Sequence, residues 1–123
     1  MADCPFDSFE DVAYYRLEHE SGLGRWASWP VVHSGLLYAR LVYGLDLQQA
    51  SPADAIRSIT VPILLIHGTA DDHIPPGESG ALHALNSRFT TLWLVPGAEH
   101  VASLSTSPQE YVRRVTEWFR SHT

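Results

Sequence analysis

The sequence is short of several residue types, and each shortage closes off a class of function. It contains no lysine, and its eight arginines are scattered along the chain. No basic stripe is present to follow a phosphate backbone, so nucleic acid is not an expected partner. Cys4 is the only cysteine, which leaves neither an intrachain disulfide nor a cysteine cluster for a metal. No apolar run approaches membrane-spanning length, and Met1-Ala2-Asp3 lacks the basic start and apolar stretch of a secretory leader. A membrane is therefore not an expected partner, and the default location is the cytoplasm. A glycine-rich loop opening a helix with a lysine, the usual phosphate cradle, is also missing.

What is present suits one packed domain. The chain has 123 residues, 45% of them apolar, and a net charge of −6. Its most telling stretch runs from Val61 to Pro76. The first part, Val61 to Ile66, is an unbroken apolar run of strand length, the pattern of a strand buried on both faces of a parallel sheet. Gly68 ends the run, and a polar loop with two adjacent carboxylates, Asp71 and Asp72, follows before Pro75-Pro76. Chemistry in open parallel sheets collects in loops at the carboxyl ends of strands, so an acid placed there is a functional candidate.

The rest of the chain supplies partners for that strand. The spacing predicts a first helix from about Phe9 to Glu18, capped by Asp7 or Ser8, with Phe9, Val12, Ala13 and Leu17 on its buried face. Trp26 and Trp29 are expected in a loop, ahead of a helix from Val31 to Tyr43 stopped by Gly44. That second helix is apolar nearly all round, which predicts burial in the core. The alternative is a lid, with Trp26, Trp29 and Tyr38 around an acyl or aromatic substrate. Ser51-Pro52-Ala53-Asp54 and Ser107-Pro108-Gln109-Glu110 each have the form of a helix start. Between them, a helix from Gly77 to Asn86 and a strand from Thr90 to Val95 complete a βαβ unit with parallel strands. The last helix is expected to bury Tyr111, Val112, Val115, Trp118 and Phe119 on one face.

Parallel topology also brings two loops together. The second strand ends in Pro96-Gly97-Ala98-Glu99-His100, which sets His100 beside the loop of Asp71. A carboxylate there can accept a hydrogen bond from the imidazole, fix its tautomer and stabilise its protonated form. His67, Asp71, Asp72, His73 and His100 are also potential metal ligands, but no cysteine cluster accompanies them and no metal or other cofactor is expected.

Pro62 to Pro75 resembles the acid-bearing segment of the α/β-hydrolase superfamily. In that family an apolar strand ends in His-Gly, with the acid three residues past the glycine and four before a proline. The register implies Asp71 as the acid and leaves Asp72 a turn role. Val95 to His100 is similar to the family's last strand and histidine loop, Asp3-Cys4-Pro5-Phe6 to the strand end before the cap region, and Ser51 to Ile59 to the short helix before the acid strand. The likeness is greatest to the serine-hydrolase branch of esterases, acylglycerol lipases and related peptidases. The fold class it implies is α/β: parallel βαβ strands flanked by helices. A helical cap-like segment would span about residues 7–50 and the acid and histidine segment about 51–123.

One part of that family's pattern is missing. The nucleophile should precede the acid on a Gly-x-Ser-x-Gly elbow between a strand and a helix. Ser34 lacks the first glycine and a preceding strand, and Ser79, in Gly77-Glu78-Ser79-Gly80-Ala81, lies after Asp71. The resemblance thus implies the C-terminal portion of a serine hydrolase acting on a small acyl or peptide-like substrate, with Asp71 and His100 catalytic and the serine outside the chain. Two alternatives stay open. One is a non-catalytic half-domain docking to a partner chain; the other is a hydrolase with an Asp or Cys nucleophile, similar to dehalogenases, epoxide hydrolases or dienelactone hydrolases. So small a sheet would leave the strand at Val61 to Ile66 with an open edge. Pairing with a missing N-terminal half, or self-association, is expected there.

Overall fold

A computed structural model describes residues 1–49 and 51–122. Three parallel strands form one sheet in sequence order: β1 (Ala2–Asp3), β2 (Ile63–Gly68) and β3 (Thr90–Val95). Helices α1 (Phe9–Ser21), α2 (Arg25–Tyr43) and α3 (Pro52–Ser58) lie between β1 and β2, and α4 (Pro76–Leu85) joins β2 to β3. A short α5 (Ser103–Thr106) and a long α6 (Pro108–His122) follow. This is the α/β architecture expected, a parallel βαβ unit flanked by helices. The expected segment boundary at residue 50, and residue 123, fall outside the described residues.

Strand β2 is shifted from its predicted span. The Ile63 amide makes the first bond, to Phe89 O at 2.7 Å, whereas Pro62 has no amide to offer and Val61 is 61% exposed. At the other end the ladder outlasts the apolar run: His67 pairs with Leu94 and Gly68 with Val95. Strand β2 is also not an edge strand. Pairing with β1 at Leu65 and Ile66, extended by the Cys4 amide to Ile66 O at 2.8 Å, makes it the middle strand.

Its alternating side chains feed two cores, as an apolar run flanked on both faces should. Leu64 and Ile66 join Trp93, Val95 and Ala98 on one face, where Tyr111, Val115 and Trp118 of α6 cover them. Leu65 joins Ile56 of α3 and Leu82 of α4 on the other. Only part of the predicted α6 face is used: Val112 and Phe119 lie on the next ridge and stay exposed.

Helix α1 starts at the expected cap, with the Asp11 amide donating to Ser8 Oγ at 3.1 Å, and ends at Gly22 in the left-handed region. Helix α2 departs further from expectation. Trp26 and Trp29 belong to its first turns, because Gly24 acts as N-cap and accepts the Ala27 and Ser28 amides. Pro30 does not delay the helix; it sits inside it and removes only its own amide from the ladder. Nor is α2 a core helix, since only Ser28 and Val32 are buried.

Candidate active site

All three strands end at one rim. Cys4 follows β1, the loop of Asp71 follows β2, and the loop of His100 follows β3. The last two loops interlock through their backbones: the Thr69 amide donates to Val95 O at 3.0 Å, the Ala70 amide to Ala98 O at 2.9 Å, and the Gly97 amide to Thr69 Oγ1 at 2.9 Å. Gly68 permits this approach. A Cβ there would overlap the Ala98 carbonyl and come within 2.9 Å of Glu99 O.

The turn after β2 is held by Asp71 itself. Its Oδ1 accepts the His73 and Ile74 amides, each at 2.9 Å, and its side chain is wholly buried. Its Oδ2 is 2.9 Å from His100 Nδ1. A carboxylate oxygen only accepts, so Nδ1 carries the proton and Nε2 is the basic nitrogen. Burial alone would raise the Asp71 carboxyl. The Ile74 amide, His100, the Cys4 thiol and the His73 amide outweigh it and hold the group below the ordinary carboxylate range.

The His100 side chain is 33% exposed, so a buried acid backs a base that opens to solvent. Val101 next to it has φ 54, a left-handed conformation that a β-branched residue rarely adopts, and its amide reaches Cys4 Sγ at 3.4 Å. Cys4 itself is buried with φ 48. Burial, opposed by the Val101 amide and aided by Asp71, pushes its thiol up to about 11. The thiol is therefore a protonated donor rather than a reactive thiolate.

Asp72 has an oxygen within 4.8 Å of Asp71 but differs from it in burial and partner. It is exposed and bonds the neighbouring His73 ring, Nδ1 to Oδ1, at 2.7 Å. That ring lies flat on His100, with centroids 5.1 Å apart and planes inclined by 5°. This stack was not foreseen from the sequence. Of the two serines weighed there, Ser34 bonds back to Pro30 O within α2, and Ser79 is buried against His67 and Pro5 O. Neither hydroxyl reaches His100. Of the potential metal ligands, Asp71, Asp72 and His73 bring ligand atoms within 4.8 Å of one another, and Asp71 and His100 do so with Cys4; among the described residues His67 joins neither group. Trp26, Trp29 and Tyr38 all lie on α2 and are exposed. Trp29 stacks on His33, Tyr38 meets Tyr43, and Trp26 is 86% exposed. An apolar cavity of about 460 Å³ lies between α1 and α2, lined by Phe9, Leu17, Val31, Val32 and Leu36 among others.

Residues 10–123 match the family model described as the prolyl oligopeptidase family. The chain is similar to the uncharacterized protein YqkD of Bacillus subtilis, with 30% identity over 118 residues, 96% of this chain and 38% of that protein. Among solved structures it is similar to an esterase of Pyrococcus furiosus, at a TM-score of 0.66 and 20% identity, over 98% of this chain and 44% of that one. The chain thus spans less than half the length of each relative. Fold and family agree, and the chain belongs to the prolyl oligopeptidase family, within the α/β-hydrolase superfamily.

Proposed function

We propose that this chain supplies the acid and the base of an acyl-transfer hydrolase that cleaves an ester, thioester or amide, and that the serine nucleophile is contributed from outside residues 1–123. His100 Nε2 takes the proton of the serine as its oxygen bonds to the acyl carbon, then delivers it to the departing alkoxide, thiolate or amine. Water regenerates the enzyme by the same proton route in reverse order. Asp71 keeps the proton on Nδ1 and stabilises the imidazolium formed in between. A small acyl or peptide-like compound is the substrate class.

The observation that carries this reading is the 2.9 Å contact between His100 Nδ1 and a buried Asp71 carboxylate, on a ring whose other edge is open. A Cys nucleophile would leave both roles unchanged, whereas an Asp nucleophile, already ionised, would leave His100 to take the proton of the water that hydrolyses the enzyme ester. The test is hydrolysis of p-nitrophenyl acyl esters by the protein carrying its nucleophile. Asp71→Asn should lower turnover by about 10⁴-fold, as removal of a triad acid does. Asp72→Asn should stay within a few-fold of wild type, and comparable losses from both would remove Asp71 from the role.

A further inference from the structure

We infer that His73 is a positioning residue: its ring, lying against one face of His100, sets the plane of the base and so the direction in which Nε2 points. The inference rests on the acyl-transfer reading. Both histidines are keyed to the Asp71 carboxylate. Oδ1 accepts the His73 amide at 2.9 Å, and Oδ2 is 2.9 Å from His100 Nδ1. The two rings then meet with centroids 5.1 Å apart and planes inclined by 5°, the geometry of an offset parallel stack. The His73 ring is also tethered at its edge. Its Nδ1 lies 2.7 Å from Asp72 Oδ1, and a carboxylate only accepts, so Nδ1 carries the proton of that bond.

The consequence concerns tilt. A hydrogen bond stays strong over departures of about 30° from linear, so the bond to Asp71 leaves the His100 ring room to tilt. At 33% exposure the side chain is not enclosed by the protein on every side. A parallel ring on one face blocks tilt towards itself, and its attraction opposes tilt away. Proton transfer requires Nε2 within reach of the serine oxygen and in line with it, so a tilted base loses turnover rather than binding. Any residue could supply the amide at Oδ1; the flat ring is what this side chain adds. Asparagine at position 72 still offers His73 Nδ1 an oxygen, in keeping with the small loss expected from Asp72→Asn.

Three variants, assayed on p-nitrophenyl acetate in the protein carrying its nucleophile, separate the flat ring from the rest of the residue. His73→Ala should lower kcat by about 3- to 10-fold with KM unchanged, the scale of one aromatic pair. His73→Phe keeps a flat ring and should stay within about 2-fold of wild type. His73→Leu fills space without a plane and should lose as much as His73→Ala. Equal losses in the Phe and Leu variants, no loss in His73→Ala, or a rise in KM with kcat kept overturns the inference. If the wild-type protein hydrolyses no acyl ester, the acyl-transfer reading fails, and proton NMR decides separately whether His73 holds the His100 ring. The carbon-bound ring protons of His100 lie in the ring current of His73. They should shift in the same direction in His73→Ala and His73→Leu, and not in that direction in His73→Phe. Resonances unmoved by His73→Ala would show that the rings do not stack, and the inference would end there.

Discussion

Strand β2 and helix α2 are both rich in apolar residues, and water treats them in opposite ways. Leu64, Leu65 and Ile66 are 3%, 1% and 0% exposed, whereas Trp26, Leu41 and Tyr43 are 86%, 75% and 66% exposed. Composition does not separate them; the number of packing partners does. The strand lies between two helical layers, so each alternate side chain enters a core. The helix packs against α1 and keeps the rest of its circumference uncovered. Apolar character around a whole helix calls for neighbours on every side. Exposed apolar area of that kind is characteristic of surfaces that another protein segment covers.

Mutation can break or confirm the contrast. Leu65→Ala should cost about 2–5 kcal/mol, the range for large-to-small changes in a core. Leu41→Ala should fall within about 0.5 kcal/mol of wild type, as surface changes do. Urea unfolding midpoints measure both, and similar shifts would show α2 to be buried in solution. Gly68→Ala comes next, at about 1–3 kcal/mol for an overpacked site. It should also part His100 from Asp71, because the overlap falls on the Ala98 carbonyl, between the two loops. Loss of the His100 Nδ1 proton signal in NMR would report that separation; a retained signal would show that the loops can yield. A smaller effect is expected on association. The chain should run above monomer mass in light scattering, and Leu41→Glu with Trp26→Glu should return it to monomer. An unchanged mass would assign the contact to the sheet edge instead.

How much of this could be read beforehand differs between the same two stretches. The acid loop was legible because its geometry is local. An apolar run ended by a glycine places two carboxylates at a strand end, the family resemblance selects Asp71 of the two, and parallel topology then brings His100 to it. The partners of His67 were not legible. It lies four residues before Asp71, and only the turn between them folds its Nε2 back towards the acid. The strand boundaries shifted for a similar reason: hydrophobicity ends at Ile66, while backbone pairing continues to Gly68. Helix α2 was misjudged at both levels. The stretch expected as a loop at Trp26 and Trp29 is helical and includes Pro30, and an all-round apolar pattern does not reveal how many neighbours a helix has.

The last predicted effect depends on pH and lies where the chain entering α1 meets α4. Asp7, just before α1, donates its amide to Glu78 Oε2 of α4 at 3.1 Å, and its own buried Oδ1 has no hydrogen-bond partner. Burial pushes the Glu78 carboxyl up to about 7, aided by the Asp7 carboxyl bonded to it and by the charges of Asp7 and Asp11, and opposed by the Asp7 amide. An unfolded glutamate titrates near 4.5, so between about 4.5 and 7 the folded chain holds a proton that the unfolded chain has released. Stability from this group is complete below that window and is lost as pH rises through it. Asp71 and Glu110 are held low, so their contributions vary only at more acid pH. Melting temperature should therefore fall between pH 4.5 and 7 in the wild type, and fall less in Glu78→Gln, which keeps a neutral group beside Asp7. Parallel curves for the two proteins would mean that the joint carries no shared proton, and that the helical pair is tied to the sheet through other contacts.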